Sequence, residues 1–379
     1  MYFTKNHHLI SLVLVTVLSS LLFLLIFYFK LPNQIGFQNT SLETIYSNYD
    51  GPNYMVIAKC GYNKDCIRNT FSLPLPLEYY PAHFPGYPLI IRLFNSILPL
   101  NKAMLFSTLI GSIFLTIISY KFFKLYLSPK KSYWLSLVLI FFPARLFVLR
   151  VIGAPESWFL ASILASLYFF KNKKYFLAAI FAVFAQLLKT PGIILLISYL
   201  VFALYELFTH KINFSKFIKK YFYFILVPIS IFIVFYVCQI QTGDFWAYFH
   251  SGDNFHLSLL PYSVFISTKA WINTIWLEDI IYIFALSFFG IYRLFKKNKF
   301  KILSLFPLIF ILLTLFVAHR DISRYIAPIY PFMLLAYSKY LTKKSFKIIF
   351  LILLPAIILY AINFVSFNFI PIADWTPYI

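Results

Sequence analysis

Few residues in this chain can do chemistry, and most of them lie close together in sequence. Between Tyr49 and Leu93 there is a carboxylate at Asp50, a histidine at His83 and a guanidinium at Arg92. Six tyrosines (49, 54, 62, 79, 80 and 87) and four prolines from Pro74 to Pro85 accompany them. A segment that only joined two apolar stretches would need none of these. Asp50 has two compatible roles. Asn48, Asp50 and Pro52 read as the start of a helix in which Asp50 caps the amides that follow. A short carboxylate fixed at a helix start also suits a general base that takes a proton from a hydroxyl. In the helix reading, Tyr54, Ile57 and Ala58 form the apolar stripe of a helix lying in a membrane interface. His83, among Tyr79, Tyr80 and Pro81, is either a satisfied loop histidine or a donor to a sugar hydroxyl or phosphate.

A second polar cluster, His319-Arg320-Asp321-Ile322-Ser323-Arg324-Tyr325, falls where two apolar stretches meet. Its arginines either form an interfacial ion-pair network with Asp321 or grip a phosphate, for which the guanidinium fork is best suited. Arg145, Arg150 and Lys189 are expected at the same depth and would complete a cationic pocket. Glu156, in the turn Ala154-Pro155-Glu156-Ser157, reads as a carboxylate at a helix N-terminus or as a polar contact for substrate. No D-x-D pair, G-x-G-x-x-G or P-loop occurs. That argues against a nucleotide-sugar enzyme of the soluble Rossmann type, and no metal or cofactor is expected.

The elements that must position these groups are membrane helices. Of 379 residues, 61% are hydrophobic and only 12% charged, with mean hydropathy +0.80. A soluble domain cannot hide that much apolar surface, so the chain reads as an all-α, polytopic integral membrane protein with one domain, 1–379. Leu9–Phe29 is apolar throughout and reads as a retained anchor rather than a cleaved signal peptide. Further apolar stretches run at about 103–123, 133–152, 156–170, 175–188, 192–208, 221–241, 279–295, 302–318, 324–337 and 348–366. The expectation is therefore about eleven transmembrane helices. The segment 175–208 would be ~51 Å long as one helix, too long for one crossing. Two short tilted spans, or a re-entrant pair, broken at Lys189-Thr190-Pro191-Gly192, fit better.

Charge placement orients this map. With Lys5 in the cytoplasm, the basic runs between spans fall on the same side and hold 21 of the 33 basic residues. Every acidic residue except Glu206 lands on the opposite, exoplasmic face. The first exoplasmic loop is 30–102 and the second 242–278, the latter rich in Trp, Tyr and Phe. The net charge of +21 is thus a topology and head-group signal, and nucleic-acid binding is not expected. Cys60 and Cys66 share the first loop, where a local disulfide forms if that face is oxidising; Cys238 reads as a packing residue inside a span.

The first loop resembles the GT-C superfamily of membrane glycosyltransferases, most closely mannosyltransferases of the PIG-V type and their prokaryotic relatives. The matching residues are Tyr49-Asp50-Gly51, Tyr54, Ile57-Ala58, Gly61-Tyr62, Phe84-Pro85-Gly86-Tyr87-Pro88 and Ile91-Arg92. Looser echoes are Pro155-Glu156-Ser157, Lys189-Thr190-Pro191-Gly192 and Arg324-Tyr325. His319-Arg320-Asp321 is similar, with altered spacing, to the His-Lys-Glu signature of other members. The resemblance implies a polyprenyl- or dolichyl-phosphate hexose donor, most often mannose, and a glycan, glycolipid or protein acceptor. It implies inverting transfer on the exoplasmic face, with Asp50 as the catalytic carboxylate. Tyr54, His83, Tyr87, Arg92, Arg145, Arg150, Glu156, Lys189, His319, Arg320 and Arg324 are the candidate substrate contacts. The membrane would be the plasma or inner membrane in a prokaryote and the endoplasmic reticulum in a eukaryote. The rival readings are a lipid-linked glycan transporter or flippase, and a polymerase or ligase acting on lipid-linked glycans.

Overall fold

A computed structural model describes residues 3–38, 40–72, 75–252, 256–266, 277–298, 300–319 and 321–379. Arg320, Asp253, Trp271 and Trp276 lie outside the described residues. Among the described residues all regular structure is helical, apart from two isolated bridges, Asn48–Phe369 and Leu257–Val317. The first half comprises α1 (Phe3–Tyr28), α2 (Leu42–Tyr46), α3 (Gly51–Cys60), α4 (Lys64–Thr70), α5 (Gly86–Asn95), α6 (Leu100–Phe123), α7 (Pro129–Phe141), α8 (Ala144–Leu149) and α9 (Glu156–Lys171). The second comprises α10 (Tyr175–Leu188), α11 (Ile193–Phe208), α12 (Phe214–Tyr221), α13 (Leu226–Thr242), α14 (Leu277–Asn298), α15 (Ile302–Thr314), α16 (Ile322–Tyr325), α17 (Tyr330–Ala336), α18 (Ser338–Leu341) and α19 (Lys344–Phe367).

Five helical stretches are long and apolar enough to cross a bilayer: His7–Tyr28, Leu100–Phe123, Thr190–Phe208, Phe214–Thr242 and Lys344–Phe367. Leu14, Leu18 and Leu22 on α1, and Ile348 and Ile352 on α19, are exposed. Such stripes stay in contact with lipid, because leaving an acyl environment gives them no hydrophobic gain. Two expected spans are broken. The 133–152 stretch splits into α7 and α8 at Pro143, whose ring has no N–H and cannot continue the helix. The 324–337 stretch splits at Ala327–Ile329, which holds Pro328.

The 175–208 segment forms a helical hairpin. At one end Lys189 reaches the start of α9. At the other, Phe170, Tyr175 and Phe202 gather around the Lys220 ammonium, 4.9, 5.8 and 5.4 Å from their ring centroids. Ala178, Ala179, Ala182 and Ala185 make one side of α10 small, so it packs closely on α9. The hairpin tip meets the first loop with equal intimacy. A Cβ on Gly86 would stand 2.6 Å from the Leu187 carbonyl oxygen. Backbone cannot yield as a side-chain tip can, so Gly86→Val should cost ~1–3 kcal/mol or more. The measurement is the thermal midpoint in detergent; an unchanged midpoint would show that the two backbones are not that close.

The first loop differs from its expectation in one respect. Gly51 to Ala58 of α3 are all buried, so α3 is a core helix rather than one lying in the interface. The residues that bury it come from α5, α6 and the C-terminal tail. The Ile370 amide donates to the Ser47 carbonyl at 2.9 Å, the Asn48 amide group to the Val365 carbonyl at 2.8 Å, and Lys59 to the Pro377 carbonyl at 2.8 Å. Exposed apolar surface in this loop belongs instead to α5, where Leu89 and Leu93 are exposed. Cys60 and Cys66 are joined in a disulfide that ties the end of α3 to α4.

Candidate active site

Asp50 stands at the N-terminus of α3, yet its side chain accepts no hydrogen bond from the helix amides. The carboxylate turns away from the helix. Its Oδ2 receives Nη2 of Arg324 at 3.3 Å, and Nε2 of His83 lies 3.7 Å from Oδ1. The carboxylate side chain remains 28% exposed, whereas that of Glu156 is only 2% exposed. Arg324 sits between the two: its Nε donates to Glu156 Oε1 at 2.7 Å, and Lys189 Nζ donates to the same oxygen at 2.8 Å. Five segments thus supply one cluster. These are the start of α3, the loop before α5 that carries His83, the start of α9, the hairpin tip and α16.

Local sequence explains each placement. Pro52 pre-sets the first turn of α3. Pro191 and the close approach of Gly192 to the Gln186 backbone end α10, leaving Lys189 extended toward α9. Tyr49 adopts φ +50, in the left-handed region, which costs an aromatic residue ~1–2 kcal/mol. That conformation lays the Tyr49 ring under the Arg324 guanidinium, 4.2 Å from centroid to Cζ, while its hydroxyl donates to Asp321 Oδ2 at 2.7 Å. Strain of this kind persists where surrounding contacts over-determine it.

Arg145 pairs with Asp321 Oδ1 at 3.1 Å and lies 3.8 Å above the Phe364 ring. His319 accepts from the Asp321 amide at 2.9 Å and packs against Tyr325 and His256. His83 packs edge-on to Tyr54, and Tyr54 edge-on to Tyr87, so a short aromatic column backs the histidine. Three expected contacts are elsewhere. Arg150 is buried among α1 and α6, donating to Thr116 Oγ1 at 3.1 Å, and does not reach the cluster. Arg92 caps the end of α3 through the Ala58 carbonyl at 2.6 Å. The Tyr87 hydroxyl is engaged by Thr108 at 2.6 Å. The sequence reading missed Phe364 as a participant. It named Tyr49 only as part of the motif and Asp321 only in an ion-pair network with the arginines of its own cluster, whereas Asp321 pairs with Arg145 and the Tyr49 hydroxyl.

Electrostatics favour an ionised Asp50. Burial pushes its carboxyl up, but His83 and the charges of Arg324 and Lys189 outweigh that and hold it well below the usual carboxylate range. A carboxyl depressed in the folded state stabilises the fold above its unfolded value of 3.8, and that contribution is lost as pH falls through the lower folded value. His83→Gln should raise the folded value and weaken this contribution. Acid titration of the unfolding midpoint should then show the variant failing at a higher pH than wild type; coincident curves would separate His83 from Asp50.

Three buried atoms in the cluster have no hydrogen-bond partner, Glu156 Oε2, Arg145 Nη1 and His83 Nδ1. Buried polar groups are nearly always paired, so an unpaired acceptor and donor at one site are what a polar ligand satisfies. Among the described residues no group of three or more His, Cys, Asp or Glu is disposed to hold a metal ion. The cluster can take up a proton at Asp50 and stabilise an anion with Arg324 and Lys189. No protein-family model matches the chain, and no curated protein matches it.

Proposed function

We propose that the chain is a GT-C-type glycosyltransferase that moves a hexose, with mannose the favoured candidate, from a polyprenyl- or dolichyl-phosphate donor to an acceptor hydroxyl. The observation that carries this reading is the partly exposed Asp50 carboxylate held against Arg324 and His83, with Lys189 and Glu156 behind it. In a one-step displacement Asp50 takes the hydroxyl proton as the acceptor oxygen bonds to the anomeric carbon. The bond from that carbon to the phosphate oxygen breaks on the opposite side, and configuration inverts. The departing lipid phosphate carries the displaced electron pair, and fixed cations lower the free energy of that developing charge. Arg324 and Lys189 are the groups placed for this. Holding both substrates in line supplies much of the remaining acceleration.

The reading includes the eleven-span topology, with the first loop exoplasmic and the basic turns cytoplasmic. The apolar stripes on α1, α19 and α5 offer surfaces along which an isoprenoid chain can lie. The test is transfer of radiolabel from a panel of polyprenyl-phosphate hexoses to glycan, glycolipid and peptide acceptors, using purified protein. Inverted product from one donor supports the reading. Absence of transfer from every donor, or cytosolic labelling of a tag at position 50, ends it. Net movement of intact donor across a vesicle membrane would favour the flippase reading instead.

A further inference from the structure

The end of the molecule opposite Asp50 carries a second candidate site. A groove of about 380 Å3 lies between the α9–α10 turn and the junction of α12 with α13, lined by Lys173, Lys174, Lys219, Phe176, Leu177 and Tyr223. Three ammonium groups face it, and no carboxylate is among its lining residues. The nearby carboxylate, Glu206, is already engaged by Lys220 at 2.7 Å and by the Tyr221 hydroxyl at 2.6 Å. It cannot neutralise the groove.

The lysines are held by ordered backbone. The Asn172 side chain donates to the Tyr168 carbonyl at 2.7 Å, Lys173 takes φ +61, and the Lys174 amide donates to the Phe169 carbonyl at 2.9 Å. On the other wall Asn213 caps α12 by accepting from the Lys216 amide at 3.0 Å. Phe176 and Tyr223 meet at 5.6 Å across the groove, an apolar floor beneath the charges.

The surroundings decide what kind of anion fits. Phe214, Ile218 and Phe222, spaced four apart, form one exposed apolar stripe beside the lysines of α12. A short helix with a lysine face and an exposed apolar face lies in the head-group zone of a bilayer. A free anion would use the lysines and leave this stripe in water. An anionic lipid uses both. We infer that the groove binds the phosphate-bearing headgroup of an anionic glycerophospholipid, with its acyl chains running past Phe176 and Phe222. This site is independent of the transferase reading.

The experiment uses full-length protein in mild detergent, titrated with phosphatidylglycerol, phosphatidylcholine or inorganic phosphate, with thermal protection as the readout. Each lysine near an anionic surface is worth about fivefold in affinity, so Lys173→Ala/Lys174→Ala/Lys219→Ala should weaken phosphatidylglycerol on the order of 100-fold. A control, Lys339→Ala/Lys343→Ala/Lys344→Ala, removes equal charge from another basic run and should keep wild-type affinity. Equal losses in both variants, equal protection by phosphatidylcholine, or full protection by inorganic phosphate would each overturn the inference. If the groove variant is not recovered folded, a photo-crosslinking residue in place of Phe176 decides. Crosslinks to phosphatidylglycerol but not phosphatidylcholine are expected, and none at all would refute the site.

Discussion

Asp50→Asn is expected to lower hexose transfer by roughly 10²–10⁴-fold, the range that a positioned general base contributes. The amide matches the carboxylate in shape but cannot accept the acceptor's proton at neutral pH. Arg324 would keep its shorter contact to Glu156 at 2.7 Å, so it is not left unpaired. Membrane insertion should stay as in wild type, and the thermal midpoint should fall by no more than the ionised carboxylate contributes to the fold, so that a folded but inactive variant separates loss of chemistry from loss of fold. The measurement is turnover with a lipid-phosphate hexose in purified protein. Near wild-type turnover would remove Asp50 from the mechanism.

The largest stability effect is expected at Arg324. Its guanidinium lies between two carboxylates, one of them fully enclosed, and covers the Tyr49 ring. Removing one partner of a buried ion pair leaves an uncompensated charge, at a cost of ~3–5 kcal/mol. Arg324→Ala should therefore lose that much stability, seen as a lowered thermal midpoint and poor recovery of folded protein. Adding Glu156→Gln removes the stranded charge and should recover part of the loss, because residues sharing one network do not act additively. A midpoint for Arg324→Ala equal to that of wild type would mean that Lys189 alone can hold Glu156.

Sequence reading went far with this chain because the apolar majority leaves few polar residues to consider. Asp50, His83, Glu156, Lys189, Arg145 and Arg324 all stood out as polar groups in apolar company, and the structure gathers them. What sequence spacing could not show was who pairs with whom, since Asp50 and Arg324 lie 274 residues apart. The expected cationic pocket is instead an alternation of cations and carboxylates. Arg150 misled because depth along a span says nothing about azimuth; it faces α1 and α6, where Thr16 and Thr116 receive it. Asp50 misled in the opposite sense. Its position is that of a cap, but its side chain is drawn off by stronger charge-assisted partners. The sequence reading ran 133–152 through Pro143 as one span although the proline itself signals a break, and the full burial of α3 was not legible. That burial depends on the tail beyond α19 folding back over the loop.

The even match of Asp50, Glu156 and Asp321 against Arg145, Lys189 and Arg324 has a calorimetric consequence. A ligand bearing a phosphate enters a site whose six fixed charges already sum to zero, so its own charge is surplus in a poorly hydrated place. The complex is expected to relieve that surplus by drawing a hydrogen ion from solution. Binding heats measured in buffers of differing ionisation enthalpy would then diverge, and heats that coincide would mean that the incoming charge is met some other way.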